Sequence, residues 1–88
     1  MSGPGMQPMW NQLIHLSFKS RVSLQAQIRE MLVNGILDGH IPVGVPLPST
    51  RLLAIQLGVA RNTVALSYEL LVNEGYLVTK SRSGHFVN

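Results

Sequence analysis

Eighty-eight residues hold at most one domain, and the absence of cysteine excludes disulfides, thiolate metal sites and cysteine nucleophiles together. With 45% hydrophobic and 12% charged residues the composition is that of a folded chain, and no apolar run approaches the roughly 18 residues that a membrane helix needs. A formal charge of +3 permits an anionic partner without demanding one.

Met1 to Pro8 contains two Gly, two Pro and two Met, and residues 1–12 read as a flexible leader or cloning remnant, with the folded domain over 13–88. The stretch has neither the basic nor the apolar region of a secretory signal, which with the lack of cysteine points to the cytoplasm. Ile14 to Phe18 alternates apolar and polar residues, predicting a short strand or an extended segment on the core with His15 outward. Ser23 is a natural N-cap for a first helix, in which Leu24, Ile28, Met31, Leu32 and Ile36 recur at helical spacing up to a stop at Gly39. Three Pro between Ile41 and Pro48 then force an extended connection. Ser49 caps a second helix over Thr50 to Leu57, ended by Gly58. A third carries the stripe Val64, Tyr68 and Leu71 and closes at Gly75. Tyr76 to Lys80 reads as a strand, Ser81 to Gly84 as a turn, and His85 to Asn88 as the returning strand.

Two helices separated only by Gly58 and Val59 have the outline of a helix-turn-helix. Counting Gly58 as the ninth residue puts Leu53 fourth, small Ala54 fifth, Leu57 eighth, Val59 tenth and Val64 fifteenth, all suited to a close crossing. Ser67 stands eighteenth, where an apolar residue is commoner. An ordinary helical hairpin shares this outline, so the adjacent residues decide. Arg61, Asn62 and Thr63 open the third helix and Arg51 opens the second, although the macrodipole disfavours cations there. A first turn offering charge, amide and hydroxyl suits phosphate and a major groove. Lys80 and Arg82 flank the final turn as they would on a wing, a β-ribbon that reaches nucleic acid. From Ser49 onward four cations, Arg51, Arg61, Lys80 and Arg82, face two anions, Glu69 and Glu74, both late in the third helix.

Leu47-Pro48-Ser49-Thr50-Arg51, Leu57 to Val64, Glu74-Gly75-Tyr76-Leu77 and Ser83 to Val87 together closely resemble the winged helix-turn-helix domain of GntR-type bacterial transcription regulators. Arg61 to Val64 with Tyr68 to Leu71 is most similar to the MocR branch. The resemblance implies an α+β, mainly helical fold: three helices and a C-terminal β-hairpin wing. It implies sequence-specific binding of an operator in double-stranded DNA, with the third helix in the major groove and the wing on the backbone or minor groove. By position, contacts fall on Arg51, Ala60, Arg61, Asn62, Thr63 and the wing residues Lys80, Arg82, Ser83, Gly84 and His85. In that branch the domain precedes an aminotransferase-like domain holding pyridoxal phosphate. A fragment of such a protein, as a monomer, is then expected here, without cofactor, from an intact homodimer. Two departures stand out. Ala60 replaces the usual Ser or Thr cap, and Ala65 stands where some relatives have a base-contacting arginine.

A winged-helix module for protein–protein interaction is the alternative; the basic first turn and wing argue against it, while Leu66 and Leu70 off the Val64 stripe argue for it or complete the core. Enzyme chemistry and a zinc site are rejected, because His15, His40 and His85 fall in separate segments and no paired carboxylates occur. His85 is either a phosphate contact or an exposed strand residue.

Overall fold

The computed structural model describes residues 10–80 and 84–88. A four-residue helix α1 (Trp10–Leu13) precedes α2 (Leu24–Leu37), α3 (Thr50–Leu57) and α4 (Arg61–Asn73), and the strands β1 (Leu77–Lys80) and β2 (Gly84–Val87) follow. The fold is the mainly helical winged helix that the sequence implied, with one short helix more.

Local chemistry sets the long helix starts. Ser23 and Ser49 hold extended backbone, and their hydroxyls accept hydrogen bonds from the amides of Ala26 and Leu52. Gly58 takes a left-handed φ of +71°, which brings the Val59 amide onto the Ala54 carbonyl at 3.0 Å and turns the chain from α3 into α4. Ile28 and Leu32 of α2, Leu53 and Ala54 of α3, and Val64, Tyr68 and Leu71 of α4 meet in one core, closed below by Leu77 and Val87 of the hairpin. In α2, Gly35 lets Ile41 approach so closely that a Cβ there would stand 2.7 Å from the isoleucine Cδ1.

The assignment of residues 1–12 to a leader is corrected at its end. Trp10 is only 6% exposed and packs in the core beside Ile14, so the ordered domain includes α1. The alternating stretch is an extended segment rather than a strand. Ile14 is buried and His15 exposed, as the alternation predicts, but Phe18 is 63% exposed because the chain turns away from the core there. The buried Gln27 of α2 holds this segment: its Oε1 accepts from the Ser17 amide (2.8 Å), and its Nε2 donates to the Ser17 and Val22 carbonyls (3.0 and 2.9 Å).

The hairpin is antiparallel, with Leu77 opposite Val87 and Lys80 opposite Gly84. The Pro-rich connection runs along its other side. The Leu47 amide donates to the His85 carbonyl (2.9 Å), Val87 to Val45 (3.0 Å) and Gly44 to Val87 (3.0 Å), so β2 is flanked on both edges. Prolines hide this pairing in the sequence, yet only alternate residues need donate at a sheet edge. Ser67, the irregular eighteenth position, is fully buried; its O–H lies 2.9 Å from the Gln25 carbonyl and 3.0 Å from that of Thr63. A hydrogen bond between α2 and α4 takes the place of an apolar contact.

Candidate nucleic-acid interface

The start of α4 differs from those of α2 and α3. Ala60 is its N-cap, at φ −68° and ψ 143°, and no side chain bonds the first-turn amides. Arg61 and Asn62 are exposed there and Thr63 is half-buried. The Arg61 Nε donates to Thr50 Oγ1 at 3.2 Å, laying the guanidinium across to the first turn of α3, where Arg51 is exposed. Two positive helix ends and two arginines thus converge, with no acidic residue in either first turn. Such an arrangement attracts phosphate. Thr50, which braces Arg61, went unnoticed in the sequence; a hydroxyl one residue after the Ser49 cap was the available signal.

The anions stand elsewhere. Glu74 closes the far end of α4 in a two-pronged pair with Arg29 of α2, 2.8 Å between Nη2 and Oε2. The bond holds the Glu74 carboxyl below its usual pKa and the guanidinium above its own. Glu69 is exposed on the helix face that turns toward the hairpin.

Tyr68 fixes the wing against the helices. Its O–H donates to the Pro48 carbonyl (2.7 Å), just before the Ser49 cap, and its ring meets the imidazole of His85 edge-on at 4.9 Å. Burial pushes the Tyr68 pKa up and the His85 pKa down, since each charged form loses water there. His85 is therefore half-buried, not an exposed strand residue. With Thr50, Ala65, Glu69, Val72 and Thr79 it lines a groove of about 250 Å³ between α4 and the hairpin. At the distal end of the hairpin the Lys80 ammonium lies 5.2 Å from the Phe86 ring centroid, and Gly84 has a φ of +93°. Arg82 and Ser83 lie outside the described residues. Of the two leucines off the stripe, Leu66 is half-buried and Leu70 exposed. Among the described residues no group of three or more His, Asp or Glu side chains converges on a point that could hold a metal ion.

Comparisons with known proteins agree with this geometry. The chain is 52% identical over 66 residues to the HTH-type transcriptional regulator TauR of Rhodobacter capsulatus, covering 75% of this chain and 14% of that protein. It is 46% identical over 66 residues to the probable rhizopine catabolism regulatory protein MocR of Rhizobium meliloti, covering 75% and 13%. The chain thus spans about one-seventh of the length of these relatives. YtrA from Sulfolobus acidocaldarius, a GntR-family transcription factor, superposes with a TM-score of 0.82 at 33% identity, covering 86% of this chain and 80% of that one. AraR(DBD) in complex with operator ORE1 superposes at 0.72 and 28% identity, covering 84% and 90%. The model of the bacterial regulatory proteins of the gntR family matches residues 24–87, the span from the Ser23-capped helix to the last strand, and the chain belongs to that family.

Proposed function

We propose that this domain binds a specific operator in double-stranded DNA on behalf of a bacterial transcription regulator. The observation that carries the reading is the uncapped start of α4, where exposed Arg61 and Asn62 stand beside free helix-end charge and Arg61 is braced on Thr50. A helix presented by its N-terminal turn is the part that enters a major groove in helix-turn-helix recognition. That AraR(DBD), of the same architecture, is seen with operator DNA supports the same partner here. In this reading Asn62 and Thr63 read base edges. Arg51, Lys80, Arg82, Ser83, Gly84 and His85 meet backbone or minor groove, and the bare amides at Ala60 and Arg61 face phosphate.

Pyridoxal phosphate does not fit the residues present: Lys19 and Lys80, the two lysines, are exposed on a loop and at a strand end, whereas a Schiff-base lysine works in a shielded pocket. The cofactor and the homodimer contacts belong to residues outside this chain, and the dimer would set two half-sites. The relatives are named as transcription regulators, and this domain's task is recognition, not catalysis. No helix among the described residues is long and apolar enough to cross a membrane. The DNA partner proposed here supports a cytoplasmic location.

The test is a selection of random duplex fragments on the intact protein, followed by binding of the 88-residue chain to the enriched sequence. Enrichment of one sequence, bound by the chain and weakened by added salt, is expected. No enrichment, with binding indifferent to salt, would overturn the reading.

A further inference from the structure

The loop before α2 has a place in the fold that its sequence does not suggest. Ser67 of α4 donates toward the Gln25 carbonyl, in the first turn of α2, while Arg29, one turn later, reaches Glu74 at the end of α4. The two helices therefore run in the same general direction, and the residues preceding α2 emerge at the end where Arg61 and Asn62 open α4. They emerge on one particular flank. Ser67 faces α2, whereas Ala65, Glu69 and Val72, about half a turn around α4, line the groove against the hairpin. The loop and the wing thus stand on opposite sides of the same helix.

The loop is also built to hold its shape. Gln27, 7% exposed, bonds both the amide and the carbonyl of Ser17 and the carbonyl of Val22, closing the loop at both ends. Within it the Val22 amide donates to Ser20 Oγ (3.0 Å). Phe18, Lys19, Ser20, Arg21 and Val22 are all exposed. Lys19 and Arg21 are its only charges, no acidic residue precedes Glu30 in the chain, and among the described residues neither cation has an ion-pair partner. Two unpaired cations on a pinned loop lose little freedom on meeting an anion.

We propose that Lys19 and Arg21 form a second contact with the DNA phosphate backbone, flanking α4 on the side opposite the wing. The proposal rests on the DNA-binding reading above and adds to it a surface outside the segment matched by the family, which begins at Leu24. Its partner is fixed by charge and by continuity: the loop extends the cationic end already formed by Arg51 and Arg61. The contact is to phosphate, so it strengthens binding to every sequence without selecting among them.

The experiment measures fluorescence anisotropy of a labelled 30-base-pair duplex of mixed sequence between 50 and 200 mM salt. The wild-type chain is compared with Lys19→Gln/Arg21→Gln and with Arg51→Ala. Each lost phosphate contact lowers the log–log salt slope by about 0.9, so the double variant should be shallower by about two. The affinity lost at 50 mM should exceed that lost at 200 mM roughly tenfold, as a change in slope of about two implies over a fourfold salt range. Both substitutions are at exposed side chains, and an unchanged melting temperature checks that the fold is intact. If Arg51→Ala lowers the slope and the double variant does not, the loop proposal is overturned while the DNA reading stands. A wild-type chain whose binding ignores salt overturns the DNA reading and the loop proposal with it. Loss of affinity without change of slope also overturns the proposal, because the loop would then act other than through phosphate.

Discussion

Ala60 shows how much one missing oxygen matters at a helix start. Its backbone angles, −68° and 143°, nearly match those of Ser23 and Ser49, whose hydroxyls each accept from the amide three residues on. Ala60→Ser should therefore accept from the Thr63 amide and stabilise the domain by about 0.5–1 kcal/mol. Urea melts of the two proteins check this, and an unmoved midpoint would refute it. His85 gives the second prediction at this scale. Its burial against Tyr68 disfavours the imidazolium, so the folded chain takes up this proton less readily than the unfolded one. Its contribution to stability is then complete above the ordinary pKa of about 6.5 and is lost as pH falls through the lower folded value. The melting temperature should drop between pH 7 and pH 5, and His85→Gln should drop less over the same range. Glu74 titrates further into the acid, since its pair with Arg29 holds its carboxyl low.

Between elements, two side chains decide how α4 is held. Tyr68 bonds the Pro48 carbonyl and so ties α4 to the start of α3. Tyr68→Phe removes one buried hydrogen bond without changing the packing, and should cost about 1 kcal/mol in a denaturant melt. Arg51 at the α3 start is exposed and, among the described residues, engages no anion. Arg51→Ala should weaken binding to all duplex sequences about equally and lower the salt slope by about one, as anisotropy titrations on the selected operator and a scrambled duplex would show. A change in sequence preference would instead make Arg51 a base reader. The elements that were legible in the sequence are those specified locally. Ser49, Gly58 and Gly75 each act within one turn of chain, so their helix ends fall where expected. What escaped depends on distant partners. Trp10 is core only because α2 and α3 come to meet α1. The alternation at Ile14 finds no neighbouring strand and remains an extended segment. Ser67 looked misplaced until Gln25 supplied its acceptor.

For the whole molecule the measurable quantity is charge against DNA. On the proposed function, the α3–α4 end and wing alone, taken to make about three or four phosphate contacts, should give a log–log salt slope near −3. With Lys19 and Arg21 engaged the slope of the wild-type chain should approach −5, since each adds about 0.9. Titrations across five salt concentrations separate the two values. Of this surface, Arg51, Arg61 and Asn62 could be found by scanning for cations and amides at helix starts. The loop could not, because its nearness to α4 is set by how α2 packs and not by any spacing along the chain. The same dependence on packing governs the wing. Since β2 is bonded on one side to β1 and on the other to residues 44–47, it is an interior strand of a very small sheet. The Leu47 and Val87 amides are freed only when that sheet comes apart, which also exposes Leu77, Val87 and the α4 stripe behind them. In solvent exchange these two amides should be among the last to take up deuterium, opening with global unfolding rather than ahead of it. The base of the wing is thus as durable as the helical core, a ribbon whose root does not yield.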